Sequence, residues 1–374
     1  MINGRKLQAG EWVEVRSKRE ILDTLDRHGQ LDGLPFMPEM FAFCGQRLRV
    51  DKRAHKTCDT VSGEYKGRKM RSAVHLDGVR CDGQAHGGCE AGCLIFWKEA
   101  WLRRTTGPEV DLSAESPAES AGAVRGDPGS PCTEEVVACC ARGLNQGAGE
   151  EPAYACQATN LLTATEPLAA WDVKQYIEDY TSGNVGLGRM ASGFIYMGYK
   201  WLAVRVRGGR LLRALYDASA GMRGGFKYPR KRGVIPAGTP TPAVKLDVRP
   251  GDLVRVKSYE QILATCDTRN KNRGLKFDAE MVPFCGGTYR VLSRVTKILD
   301  EKTGKMLRMK NPCIILDGVA CQARYSECRL FCPRGIYAYW REAWLERVEE
   351  AGVQSDDRGG QGGSASNRHS RNEK

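Results

Sequence analysis

Residues 10–45 read GEWVEVRSKREILDTLDRHGQLDGLPFMPEMFAFCG, and residues 251–286 read GDLVRVKSYEQILATCDTRNKNRGLKFDAEMVPFCG. The two stretches align without a gap at an offset of 241, and sixteen of the thirty-six positions are identical. Two further blocks follow in the same order: VHLDGVRC (74–81) matches IILDGVAC (314–321), and FWKEAWLRR (96–104) matches YWREAWLERV (339–348). Three matched blocks in the same order point to a duplicated module, at residues 8–105 and 249–350.

Local patterns agree between the copies. WVEV and LVRV alternate as short strands do. Ser17 and Ser258 precede short helical patterns and suit N-caps. LRVDKRAHK and YRVLSRVTKIL read as strands, and Lys-Thr-Gly at 302–304 as a hairpin turn. The W-x-E-A-W-L segments read as amphipathic helix ends, with Trp97, Trp101, Trp340 and Trp344 buried and Glu99 and Glu342 outward. The expectation is an α+β chain with two small β-rich, SH3-like barrel modules, joined by a disordered linker and a helical segment.

Fifteen cysteines in 374 residues, with no apolar leader in MINGRKLQAGEWVEV, suit a reducing, cytoplasmic setting where thiols bind metal or react. The repeat separates four shared cysteines in each copy: Cys44, Cys81, Cys89 and Cys93, then Cys285, Cys321, Cys328 and Cys332. The last three of each set follow C-x7-C-x3-C and C-x6-C-x3-C. Four thiolates suffice for a zinc ion or an iron–sulfur cluster. Neither spacing is the usual zinc-ribbon knuckle, so buried small hydrophobes or redox thiols stay open as alternatives.

His55, His75 and His86 occur in the first copy alone, and His86 could replace a thiolate there. Glu39 and Glu280 repeat, as do Asp77 and Asp317. Local capping and turn roles suit them better than acid–base chemistry. Cys58, Cys266 and Cys313 lie in the modules without a counterpart and read as core. Cys132, Cys139, Cys140 and Cys156 lie between the modules.

Residues 106–158 read as an acidic disordered linker, with nine acids against two bases over 105–151. Residues 159–233 read as a basic helical segment, with a helix start at Thr165-Glu166-Pro167 and a stop at Ser182-Gly183-Asn184. Lys200, Arg205, Arg207, Arg210, Arg213, Arg230, Lys231 and Arg232 belong to ten bases against one acid over 200–232. With a net charge of +12, this patch suits nucleic acid or an anionic membrane surface, or it packs on the modules with its charges in water. Residues 234–248 form a proline-spaced connector, and residues 351–374 a disordered tail. No eighteen-residue apolar run occurs, so no transmembrane span is expected. P-loop, dinucleotide-binding, nucleophile-elbow and H-E-x-x-H motifs are absent from the sequence.

The blocks LPFMPEM, AHGGCEAGCLIFWKEAWL and FCPRGIYAYWREAWLERV resemble those of uncharacterised bacterial proteins associated with surface-polysaccharide or secondary-metabolite gene neighbourhoods. The resemblance implies help to a biosynthetic pathway and carries over no catalytic residue. The expectation is an accessory protein with two four-cysteine metal or iron–sulfur modules that binds a protein partner or passes electrons, cytoplasmic or peripheral at a membrane. Alternatives are a nucleic-acid-binding protein and a metal-dependent enzyme.

Overall fold

The computed structural model describes residues 5–62, 66–107, 132–142, 151–205, 209–222, 228–229, 231–326 and 329–348. Cys328, Arg207 and Arg230 lie outside the described residues, as do most of the acidic stretch and the tail. The first module contains β1 (Trp12–Val15), α1 (Lys18–Leu22), β2 (Arg47–Arg53), β3 (Lys56–Cys58), β4 (Gly67–Met70), β5 (Ala73–Leu76), β6 (Trp97–Lys98) and β7 (Leu102–Thr105). Between the modules lie α2 (Glu134–Ala141), β8 (Thr165–Leu168), α3 (Val173–Thr181), α4 (Leu187–Arg205) and α5 (Gly209–Met222). The second module contains β9 (Leu253–Val256), α6 (Tyr259–Ala264), β10 (Thr288–Leu299), β11 (Met306–Ala320), β12 (Tyr337–Trp340) and β13 (Leu345–Arg347).

The chain is α+β with antiparallel sheets. The two five-stranded sheets share one strand order, β6-β5-β2-β1-β7 and β12-β11-β10-β9-β13. Both are open: among the described residues no sheet closes into a barrel. Both capping expectations hold. Ser17 and Ser258 each exchange hydrogen bonds with the side chain and backbone three residues on, Glu20 and Gln261.

The W-x-E-A-W segments are not helices. Each is a strand end followed by a 3-10 turn, Glu99–Trp101 and Glu342–Trp344. All four tryptophans are nevertheless fully buried. Trp101 Nε1 donates to Thr24 Oγ1 at 3.1 Å and Trp344 Nε1 to Thr265 Oγ1 at 3.0 Å, the same position in each copy. The glutamates do not face solvent either. Glu99 accepts from Arg53 at 2.5 Å and from the Leu7 amide. Glu342 accepts from Arg294 at 2.5 Å and from the amides of Leu246 and Asp247. Each carboxylate ties the chain entering its module to a strand arginine, which outweighs a solvated helix face.

The copies differ in their central hairpins. In the second module β10 and β11 run on as one long hairpin, paired from Val291↔Leu316 to Leu299↔Met306. In the first module the equivalent chain breaks after β2. Its outer part forms a separate sheet, β8-β4-β3. Pro167, expected at a helix start, instead lies in β8, and α3 begins later at an Asp172 cap. Each hairpin tip reaches the other module's cysteine loop. Cys89 Sγ accepts the Leu299 amide at 3.3 Å, and Cys58 packs with Cys321 and Cys332.

α3 and α4 brace this junction. Asp179, fully buried on α3, accepts Lys56 Nζ at 2.5 Å, and Lys56 also donates to the Leu330 carbonyl at 2.7 Å. Gly193 on α4 lies against Phe331, where a Cβ would come within 2.6 Å of the ring. None of the described helices is long and apolar enough to cross a membrane.

Breaking a buried pair strands one charge at about 3–5 kcal/mol. Asp179→Ala is therefore expected to lose stability of that order in urea denaturation, and Lys56→Met/Asp179→Leu to lose less than either single variant. His75 supplies a pH signature. Fully buried against Phe96, with Nδ1 donating to the Ile95 carbonyl at 2.9 Å, it is held down to about 4 by burial. The unfolded chain takes up that proton near pH ~6.5, so the contribution is complete above it and falls away towards pH 4. The loss is about 3 kcal/mol, and denaturation across pH 7.5 to 4.5 should be correspondingly flatter in His75→Phe.

Candidate metal centre

Glu39, Cys81 and His86 converge in the first module, each offering a ligand atom within 4.8 Å of the others. Glu39 comes from the 3-10 helix Pro38–Phe43, set by Pro38 at its first position and buried Met40. Cys81 follows the turn after β5, where its amide donates to the Cys93 carbonyl at 2.9 Å. His86 ends the 3-10 turn Gln84–His86. That turn requires glycine at 83, where φ is 72° and a Cβ would fall 2.0 Å from the Cys89 carbonyl oxygen.

Cys81 and Glu39 flank opposite edges of the imidazole: Cys81 Sγ lies 3.3 Å from His86 Nε2, and Glu39 Oε1 lies 3.9 Å from His86 Nδ1. The Glu39 side chain is 7% exposed and that of His86 2%. Both Glu39 oxygens and His86 Nδ1 are buried without a hydrogen bond. Burial, then the Glu39 charge, pushes the Cys81 thiol far up, and burial pulls His86 down. In the absence of a cation Cys81 and His86 are therefore driven towards their neutral forms. Tetrahedral zinc, with bonds of about 2.0–2.3 Å, sets its ligands about 3.3–3.8 Å apart, so donors lying within 4.8 Å of one another would close by up to about an ångström around the ion.

The cluster borders a cavity of about 50 Å³ that is also lined by Cys89, Cys93, Cys156, Glu301 and Arg334. Cys93 is pushed up to about 12 and Cys156 is raised, both by burial first. Cys81, Cys89 and Cys93 all line this cavity. Cys44 does not line it. It caps the far end of the helix that carries Glu39, and five residues of 3-10 helix span about 10 Å. Its charged neighbours are Lys18 and Glu134. The fourth thiol around the cavity is Cys156. Its loop is pinned through Gln157, whose amide group joins the Phe96 backbone at 2.8 and 2.9 Å. No repeat partner marked Cys156, so only the fold reveals it.

The second module is arranged differently. Cys285 is again a 3-10 C-cap, its thiol 3.9 Å from the Met281 carbonyl. Cys321 and Cys332 pack with Cys58 of the first module. Glu280, the counterpart of Glu39, is satisfied by the amides of Arg324 at 2.9 Å and Tyr325 at 2.6 Å. The duplicated glutamate is thus structural in one copy and unpartnered in the other.

The basic patch is partly used within the protein. Lys231 pairs with Asp217 at 2.9 Å, and the Arg213 guanidinium lies 5.2 Å from the centre of the Tyr228 ring. Lys200 is half-buried and Arg232 exposed, and the helical positions of Arg205 and Arg210 fall on α4 and α5. No family model matches the chain, and no curated protein matches it significantly.

The two glutamates give a direct contrast. Glu280→Ala should cost about 1–3 kcal/mol by orphaning buried amides, with metal content unchanged. Glu39→Ala should instead lower metal content, read by elemental analysis of the purified variants.

Proposed function

We propose that the protein is a zinc-binding accessory protein, with its metal held in the first module by Glu39, Cys81 and His86 and a fourth ligand drawn from the cavity's other thiols. The observation that carries this is the convergence of a buried carboxylate and imidazole with a half-buried thiol, three polar atoms of the first two being unpartnered. The mixed oxygen, sulfur and nitrogen set suits one borderline metal ion better than an iron–sulfur cluster, which takes thiolates. The cavity of about 50 Å³ admits an ion, whereas small-molecule sites run to about 300–1,000 Å³. This favours a structural centre over an enzyme acting on a sizeable substrate.

The two modules are read as duplicates of one SH3-sized unit, supported by their common strand order. In this reading the protein assists a bacterial biosynthetic pathway by holding a partner. The exposed Trp171, Ile195, Trp201 and Leu211 on and beside α3–α5 suit such a contact better than a phosphate backbone does, because Lys231 and Arg213 are already engaged.

Elemental analysis and zinc titration against a chromogenic chelator test the assignment. One zinc per chain is expected in the first module, with affinity at least ~10-fold weaker in Cys81→Ser and His86→Ala, since each loses a ligand. Brown protein containing iron and sulfide, or undiminished zinc affinity in both variants, contradicts it.

A further inference from the structure

A second sulfur site lies where the modules meet and takes no part in the metal centre. Cys58 ends β3 at the tip of the first module's hairpin, and Cys332 lies in the second module's cysteine loop. They are 5% and 9% exposed, and they pack together with Ala323, Cys321 and Ile336. The two thiols share this cluster and perturb each other's ionisation.

A buried cation faces the pair. Arg334 Nη1 donates to the Cys58 carbonyl at 3.1 Å and to Thr60 Oγ1 at 2.7 Å, and lies 3.9 Å from Cys58 Sγ. Its Nη2 holds Glu301 at 3.1 Å. The neighbouring Cys332 thiol, then the Arg334 and Arg329 charges, pull Cys58 down against its burial, while Cys332 is raised. The Arg334 guanidinium thus favours ionisation of Cys58 over Cys332, the asymmetry a nucleophile and its resolving partner require. Cys313 provides the contrast. Arg341 lies 3.4 Å from its sulfur, yet burial raises its pKa.

We propose that Cys58 and Cys332 are a redox-active pair that closes to a disulfide between the two modules on reaction with a peroxide. The Cys58 thiolate attacks one peroxide oxygen and the O–O bond breaks. This leaves Cys58 as a sulfenic acid and releases hydroxide. Cys332 then gives up its proton, and its sulfur attacks the Cys58 sulfur and displaces water. Two electrons pass from the two sulfurs to the peroxide oxygens, and one S–S bond forms. The product staples the first module's hairpin tip to the loop that receives it.

The test uses the full chain as purified, treated with one equivalent of hydrogen peroxide, alkylated, digested without reductant and mapped by mass spectrometry. The Cys58–Cys332 linked peptide should be the principal oxidised species, returning to free thiols with dithiothreitol. Cys332→Ser should leave a Cys58 sulfenic acid that dimedone traps. Arg334→Gln should slow the reaction at least ~10-fold by withdrawing the cation that favours the thiolate. Cys58 and Cys332 reacting no faster than Cys313 would overturn the proposal. So would linkage of either to a different cysteine in the folded wild-type protein. Because the readout is a wild-type peptide map, it stands whether or not the metal assignment does.

Discussion

A carboxylate sealed from water with neither oxygen hydrogen-bonded is the constraint on which this account turns. Leaving a buried acceptor unpaired costs roughly 1–3 kcal/mol, and more when it is charged. Glu39 is in that position, and His86 Nδ1 beside it is unpartnered too. A cation shared with Cys81 and His86 resolves all three groups together.

The surrounding fold holds this cluster rigidly. The second module's β10 seals the loop from outside: Cys89 accepts the Leu299 amide, and Glu90 accepts from the amides of Thr296 and Lys297. The first module's tip is inserted into the second module's loop in the same way, through Cys58 and Lys56. The tips also touch one another, Thr60 donating to Glu301. Arg334 spans the junction, bonded to Cys58, Thr60 and Glu301 and lining the metal cavity as well. The metal centre and the thiol pair are therefore separate sites with a common wall.

Much of the module was legible because its signals are local. The Ser17 and Ser258 caps, the alternating first strands, the Lys-Thr-Gly turn and the burial of four tryptophans each depend on a few adjacent residues. What failed to show depends on distance. Trp97 and Trp101 are spaced as on a helix, but strand pairing and two core contacts fix them in an extended chain and a 3-10 turn. Cys58 and Cys156 looked incidental because the repeat offers them no counterpart, yet each is carried to a cysteine loop by the way the modules interlock. Conversely, Cys44 and Cys285 stand out by their repetition, although both are helix caps. A matched pair of glutamates at 39 and 280 could not disclose that backbone amides satisfy one and leave the other bare, since that difference arises in the loops they face.

X-ray absorption at the zinc edge examines the central claim most directly, because it reads the atoms around the ion. A mixed shell is predicted, with sulfur near ~2.3 Å and nitrogen or oxygen near ~2.0–2.2 Å, and with an imidazole scattering pattern that disappears in His86→Ala. A shell of oxygen alone, or of four sulfurs without imidazole, would contradict it.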